Sequence, residues 1–511
     1  MSKFIAAYDF GTSGVKVALV DSGGRIIASR EKPYALLRPA PTRVEQDPDE
    51  YWDAVCRATK DVMQDAELAP DQIIALSFST QEQNIIPIDR DGKILYNAIS
   101  WLDSRAKKQA DEINEKLGVD ALRSQDLYCR LLWLKQNEAE IYEKTEYFHT
   151  CNSYLQYKAT GVKAAAADSP ILYELPPDFR EMLDAVFAVS GLDESRIPPM
   201  LNACDKSAEL DAKGAEELGL VKGIPVFGGS VDVTGAAAGA GCVKEGDAHM
   251  YFGSSGWLSA VINESVQTTG DGLYRVPGIL PGTLIYGGCI NSCCLTLDWA
   301  IDRFYGAEKN QLADDKTFPE GHKYYGSGIY DVVNDDAKAV SPGSDGLMVG
   351  PWLNGEQCPI NDPRARGVFF NVKEEHKRGH FINAIYESIC YSMKWQLEYY
   401  ENDAGGKISR IGANGGGSLS DHWMQILADV LQMPVYVPSH ARHSGAIGAA
   451  LAASIGLGLT KEDEISSFVS VEKEFSPRRE YADLYEDKYG KFKKLYLASK
   501  ELFTELNDDP A

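Results

Sequence analysis

The chain is short of basic residues: 51 Lys and Arg stand against 75 Asp and Glu, a formal net charge of -24. Broad nucleic-acid and anionic-membrane surfaces need clustered Lys and Arg, so this balance argues against both, and any phosphate bound must sit in a local pocket. No run of about 18 apolar residues occurs, so no ordinary membrane-spanning helix is expected. The N-terminus enters an apolar segment without a basic flank before a long hydrophobic stretch, and no signal peptide is expected. The ten cysteines include no CxxC pair, which predicts reduced, buried thiols in a cytoplasmic protein rather than zinc ligands or disulfides. Histidine is scarce at eight residues. Its close pairs, His376 with His380 and His440 with His443, lack the carboxylate or thiolate spacing that completes a metal site.

What is present is ordinary globular material, 44% hydrophobic and 25% charged. A chain of 511 residues exceeds what one core usually serves, so two large domains are expected; no Pro-rich or Ser-rich linker separates them. Helical and strand patterns alternate. Residues 51–64 read as a helix, 73–79 as a buried strand, 84–89 as another before the Asp91-Gly92 turn, Leu131 to Lys135 as helix, and 224–229 as a strand meeting glycines. Such mixing predicts an α/β class. The apolar segment holding Cys289, Cys293 and Cys294 reads as a helix. Residues 478–506, with Tyr485, Tyr489, Phe492 and Tyr496 at near-helical spacing, read as an amphipathic packing helix.

The run from Lys3 to Lys16 joins an apolar strand ending near Asp9, the polar turn Gly11-Thr12-Ser13-Gly14, and a second apolar strand. Glycines let backbone N–H groups approach an anion and hydroxyls add donors. Lys16 supplies a positive charge, and Asp9 is a candidate ligand for a metal bridging phosphates. A plain β-hairpin has the same outline. An echo in the second half, the strand from His249 to Phe252, the turn Gly253-Ser254-Ser255-Gly256 and a further strand, suggests a duplicated domain gripping a phosphate chain between its copies. The second copy has neither the acidic residue nor the lysine. Just before it, Asp232 stands where a Gly-rich strand end enters the very small residues up to Gly239. Asp at a helix start serves as an N-cap. It equally suits a base accepting a proton from a hydroxyl that attacks a phosphoryl group.

Ordered motifs over nearly the whole length resemble the FGGY carbohydrate kinase family, most closely in pattern its xylulokinases. They include Asp9-Phe10-Gly11-Thr12-Ser13, Val44 to Pro48, Trp101-Leu102-Asp103-Ser104-Arg105, Leu131 to Lys135, Gly228 to Asp232 and Phe252 to Gly256. Asn361 to Gly367, Gly415 to Trp423 and Gly445-Ala446-Ile447-Gly448-Ala449-Ala450 complete the set. The resemblance implies two duplicated actin-like (ribonuclease H-like) α/β ATPase domains with a cleft between them. Residues 1–241 would carry sugar binding, the first phosphate turn and the catalytic aspartate; 242–511 would carry the second turn and adenosine binding.

By the same resemblance, Asp232 is the catalytic base and also contacts substrate, while Asp9 lies near Mg²⁺. ATP would be held by Gly11, Thr12, Ser13, Lys16, Gly253, Ser254, Ser255, Gly416, Gly417, Ser418 and Asp421, with Asp298 bordering the nucleotide. Gln81, Glu82 and Gln83 match the substrate loop. The implied activity transfers the γ-phosphoryl group of ATP to a terminal hydroxyl of a ketopentose such as xylulose, or of another sugar or polyol: glycerol, a tetritol, ribulose or gluconate. A sugar or polyol would be the partner, without nucleic acid or membrane, and a homodimer is compatible. A non-catalytic actin-like ATP-binding protein would share the phosphate turns.

Departures concentrate on the sugar side. Glu82-Gln83 replaces the Met-His pair of xylulokinases and the Arg-Glu pair of glycerol kinases. Gln357 replaces an Arg before Pro359, and Tyr128-Cys129-Arg130 stands where a Pro-Lys pair is usual. The segment His440 to Ser444 lacks an expected Glu.

Overall fold

The computed structural model describes residues 2–163, 179–199, 201–268, 273–312, 317–318, 321, 323–324, 326–461 and 464–507. The chain forms two compact units, neither a single stretch. The first comprises Met1–Asp247, Ala260–Tyr286 and His443–Ser470; the second comprises Ala248–Ser259, Gly287–Arg442 and Val471–Ala511. A contiguous division at 241/242 therefore differs from the packing, because segments far along the chain find their apolar partners in the first unit's core. Ala446, Ile447 and Ala450 cluster with Ile5, Ala7 and Val20.

In the first unit, β1 (Phe4–Phe10) and β2 (Gly14–Asp21) form a hairpin extended by β3 (Ile26–Pro33). β4 (Ile73–Thr80), β5 (Lys206–Glu209), β6 (Pro225–Phe227) and β7 (Ser230–Val231) complete the sheet. The spatial order is β5-β6-β4-β1-β2-β3, with β7 also pairing β4. β1 runs antiparallel to β2 and parallel to β4, placing Phe10 beside Thr80 at one sheet end. Alternation along β1 fills two layers, as the two-residue period of a strand requires. Phe4, Ala6, Tyr8 and Phe10 pack with Tyr51, Val55 and Val62 of the helix Pro48–Asp65, while Ile5 and Ala7 face the helix Ser444–Gly456.

In the second unit, β8 (Ala248–Phe252), β9 (Gly256–Asn263), β10 (Thr283–Ile290), β11 (Ile411–Asn414), β12 (Val435–Pro438) and β13 (Val471–Phe475) are ordered β10-β9-β8-β11-β12-β13. β8, β11 and β12 are parallel, and β13 is antiparallel to β12. Of β9 and β10, Gly256–Ser259 and Gly287–Ile290 belong to this unit. In both sheets the first strand neighbours the strand that follows it in the chain, and beyond its other side lie two parallel crossover strands and an antiparallel edge strand. The duplication inferred from two similar turns thus extends to topology.

Local expectations hold at most elements: helices span Pro48–Asp65, Leu127–Asn137, Asp232–Gly239, Asp421–Leu431 and Ala482–Asn507. The cysteine-rich segment differs. Cys289 lies on β10 and the helix begins only at Cys294, since Gly287 and Gly288 continue the strand. No disulfide joins any of the ten cysteines, and seven of them are buried. Among the described residues, no helix is long and apolar enough to cross a membrane.

Candidate active site

The first turn is held open by its surroundings rather than by its own side chains. Gly11 N–H donates to the Gly14 carbonyl at 3.0 Å, and the Tyr34 hydroxyl donates to the Gly11 and Gly14 carbonyls. Gln46 Nε2 donates to the Thr12 carbonyl at 2.8 Å, and the Trp101 indole N–H reaches the Thr12 hydroxyl at 3.1 Å. Ser13 at the tip is exposed. Asp9, at the end of β1, lies 3.3 Å from the Lys16 ammonium on β2, its cross-strand partner in the register. The sequence therefore puts one charge of each sign beside the phosphate-type turn.

Asp232 opens the helix Asp232–Gly239 as its first residue. The N-cap is Val231, so the carboxylate does not cap the helix; it accepts the adjacent Val233 N–H at 2.8 Å. Burial, then the nearby Asp9 charge, pushes the Asp232 carboxyl up to about 7. Desolvation and like charge disfavour the carboxylate, outweighing the helix terminus that would favour it. Such a group holds and releases a proton near neutral pH, as a general base needs. The helix is held by small residues. A Cβ at Gly448 would overlap the Gly235 carbonyl, one at Gly239 would overlap the Ser444 carbonyl, and one at Gly235 would overlap Ser79 Oγ on β4. A Cβ at Gly445 would lie 2.6 Å from Asp9 Oδ1. The glycines of the Gly445 to Ala450 motif thus let the helix Ser444–Gly456 approach both Asp232's helix and Asp9.

Leaving β4 at Thr80, the chain forms the loop Gln81-Glu82-Gln83-Asn84 on the same sheet edge. The Gln81 N–H bonds the Phe10 carbonyl at 2.7 Å, tying the loop to the end of β1. Gln81 Nε2 donates to Gln46 Oε1 at 3.1 Å, and Asn84 Nδ2 donates to the Tyr51 hydroxyl at 3.3 Å, which itself donates to Gln46 Oε1 at 2.7 Å. Gln83 sits at φ 57°, in the left-handed region. Several oxygens here are buried without a protein partner: Ser79 Oγ, Thr80 Oγ1, Gln81 Oε1 and Asn84 Oδ1. Buried polar atoms are normally satisfied, so this cluster suits a ligand rich in hydroxyls. Gln81 and Gln83 are buried and Glu82 is half-buried.

In the second unit the turn is stabilised differently. Gly253 N–H meets the Ser255 carbonyl at 3.0 Å. The helix Cys294–Phe304 begins against the turn: Cys294 N–H donates to the Gly253 carbonyl at 2.8 Å, and Cys293 and Leu295 donate to Ser254 at 2.9 and 3.1 Å. Ser254 is exposed at the tip, like Ser13. The Gly415 turn packs on the same strand end; Gly415 has φ 87° and a Cβ there would lie 2.6 Å from the Phe252 carbonyl. Gly416 faces open space, while Gly417 is against Trp423, Phe252 and Cys294. Ser418 is buried with its hydroxyl donating to Gly415 O at 2.8 Å. Asp298, one turn into its helix, accepts from the Tyr330 hydroxyl at 2.8 Å. Asp421 is exposed and paired with Lys473 at 2.7 Å.

The structure therefore groups Asp9, Gly11, Thr12, Ser13, Lys16, Gln81, Glu82, Gln83 and Asp232 around one sheet end of the first unit. It groups Gly253, Ser254, Ser255, Asp298, Gly416, Gly417 and Ser418 around one sheet end of the second, with Asp421 opening the following helix. Sequence reasoning missed Gln46, Tyr51, Trp101 and Gly445 as working parts, although Gln46, Trp101 and Gly445 lie inside motifs already singled out. Among the described residues no group of three or more His, Cys, Asp or Glu could hold a metal. The Asp9 carboxylate fits a divalent cation whose remaining ligands are phosphate oxygens and water, the usual manner of Mg²⁺.

The profile for the N-terminal domain of the FGGY family of carbohydrate kinases matches residues 4–239, and that for its C-terminal domain matches residues 251–457. A xylulose kinase of Staphylococcus epidermidis is 27% identical over 517 residues, covering 99% of each chain. A gluconokinase of Bacillus licheniformis is 26% identical, covering 99% of this chain and 98% of its own. The crystal structure of a xylulose kinase from Lactobacillus acidophilus superposes with a TM-score of 0.83 at 21% identity, covering 99% of this chain and all of that one.

Proposed function

The chain belongs to the FGGY family of carbohydrate kinases, and from that premise we propose that it transfers the γ-phosphoryl group of ATP to a terminal hydroxyl of a ketopentose, with xylulose as the first candidate. The observation carrying this reading is Asp232, a carboxyl raised to about 7 on the sheet end that also presents the loop from Gln81 to Asn84 and its unpartnered buried oxygens. The proposed roles follow. Asp232 orients the sugar hydroxyl and takes its proton; Gln81, Glu82 and Gln83 hold other hydroxyls. The hydroxyls and backbone N–H groups of Thr12 and Ser13, and of Ser254 and Ser255, bind phosphate oxygens, as does the Lys16 ammonium. Gly416 and Gly417 offer bare backbone to the adenosine, bordered by Asp298, Ser418 and Asp421. Mg²⁺, held at Asp9, would neutralise charge on the phosphates. We also assign the enzyme to the cytoplasm, in keeping with ten cysteines that form no disulfide.

Gluconate, the substrate named by the Bacillus relative, is the weaker candidate. Glu82 and Asp232 give the sugar side two carboxyl groups, and an aldonate would add a third. The deciding experiment follows ADP release with Mg·ATP and a panel of xylulose, ribulose, glycerol, erythritol and gluconate. Sugar-dependent turnover strongest with a ketopentose is expected. Turnover strongest with gluconate would overturn the substrate assignment; no stimulation by any panel member would count against the whole reading.

A further inference from the structure

The helix Leu127–Asn137 is buried along its first eight residues, Leu127 to Leu134, and one of them is charged. Arg130 has 0% of its surface exposed. Its guanidinium donates to three backbone carbonyls: Ser100 at 2.5 Å, Ile99 at 3.3 Å and Gln83 at 2.6 Å. Its Nε has no partner. Removing a guanidinium from water is costly, and a helix needing only apolar packing would not keep one there. Its hydrogen bonds meet two pieces of chain. One is Gln83, in the left-handed conformation within the loop leaving β4. The other is Ile99-Ser100, which pairs with the loop's far end through reciprocal bonds between Ile85 and Ile99 at 3.0 and 3.1 Å. Ser100 leads directly into Trp101, whose indole holds Thr12 of the first phosphate-type turn.

We propose that Arg130 is the positioning residue for the sugar loop, clamping the Gln83 backbone to Ile99-Ser100 so that the side chains of Gln81, Glu82 and Gln83 are presented in one fixed arrangement. The inference rests on the reading of that loop as the sugar site. A planar guanidinium spreads its donors over acceptors on two segments, which an ammonium on a flexible stem matches poorly. Gln83 pays the strain of a left-handed backbone, and Arg130 offsets it with a charge-assisted hydrogen bond to that residue's own carbonyl. Arg130 touches no substrate in this scheme; it acts through the loop.

The test uses the full-length enzyme and the sugar panel above. Arg130→Met keeps an unbranched stem and removes every donor; Arg130→Lys keeps the charge. After correction for folded fraction by thermal melting, Arg130→Met should raise KM for the preferred sugar about tenfold or more, the loss expected for a hydrogen bond to a charged group. It should also compress the ratio of kcat/KM between preferred and poor sugars, and leave KM for ATP within about threefold, since Thr12 keeps its bonds to Gln46 and Trp101. Arg130→Lys should recover part of the sugar KM. Should Arg130→Met fold too poorly to assay, the Lys variant alone decides, with a raised sugar KM and a narrowed ratio expected. Unchanged sugar KM and panel ratio in a folded variant would overturn the proposal, as would equal losses for every sugar and for ATP. Wild-type enzyme inactive toward every sugar would instead strike the functional reading.

Discussion

The two Gly-hydroxyl turns share a backbone plan and differ in everything around it. Each begins with a glycine N–H bonded at 3.0 Å back into its own turn, to the Gly14 carbonyl in the first and the Ser255 carbonyl in the second, and each exposes one serine at its tip. The first is flanked by Asp9 and Lys16 and braced by long polar side chains, Gln46, Trp101 and Tyr34. The second has no charge in its own sequence and is braced by backbone N–H groups at the start of the helix Cys294–Phe304. Its flanking aromatics, Tyr251 and Trp257, stack with centroids 3.9 Å apart. A duplicated scaffold has thus kept the Gly-hydroxyl turn in both copies, while the flanking charges occur in one. Asp232 belongs to the unit with the charged turn, where the Asp9 charge helps to hold up its pKa.

The sharpest way to break the comparison is to remove the base. Asp232→Asn keeps shape and hydrogen bonding but cannot take a proton, and kcat should fall about 10²–10⁴-fold. Nucleotide affinity, measured by calorimetry, should stay within a few-fold, because both turns remain. Loss of binding in step with kcat would mean that Asp232 supports the fold rather than the chemistry.

Glycine substitutions probe how differently the two halves are packed. Gly448→Val would drive a side chain into the Gly235 carbonyl of Asp232's helix, where all nearby atoms are backbone; overpacking of this kind costs about 1–3 kcal/mol. Chemical denaturation should show that loss, with kcat falling because Asp232 moves. Gly416→Ala in the second unit meets no atom within 4 Å, and stability should change by less than about 0.5 kcal/mol. Its effect, if the nucleotide reading holds, should be confined to KM for ATP. Equal destabilisation by both would refute the packing distinction.

The charge difference predicts unequal answers from the turns themselves. Lys16→Met removes a cation with no counterpart in the second turn and should raise KM for ATP about tenfold, the scale of one charge-assisted contact. Ser254→Ala removes one exposed hydroxyl among several donors and should raise it only about two- to fivefold, the range of an ordinary hydrogen bond. Reversal of that order would show that backbone N–H groups carry both turns.

Much of this was legible in the chain because it is local. Strand, Gly-hydroxyl turn and strand are contiguous in both copies, and Asp232 is marked by the glycines before it and the small residues after it. Less visible was what lies far apart in sequence. Trp101 reaches Thr12 across 89 positions and Arg130 reaches Gln83 across 47; neither spacing leaves a periodic trace. The Gly445 to Ala450 motif could be recognised, but its purpose could not, since close approach to Gly235 and Asp9 depends on segment 443–470 folding back onto the first sheet. The helix boundary at Cys294 rather than Cys289 was hidden because an apolar run fits a buried strand end as well as a helix.

The contribution of Asp9 to the Asp232 shift is the smallest expected effect, and it isolates the coupling between the two carboxyls without sugar, nucleotide or metal. Asp232 holds its proton up to about pH 7 when folded, whereas an unfolded Asp releases it near pH 4. Between these values the folded state binds the extra proton, so stability contributed by this group is full at low pH and declines as pH rises toward 7. Asp232→Asn should remove that decline, making the ligand-free variant more stable than wild type near pH 7.5 and nearly equal to it near pH 4.5. Asp9→Asn should only flatten the decline, because burial is the larger cause of the shift and the Asp9 charge the second. Denaturant titrations of the three proteins from pH 4.5 to 7.5 measure this. A slope unchanged by Asp9→Asn would show that the two carboxyls do not sense each other, and the contrast between the charged and uncharged turns would then rest on Lys16 alone.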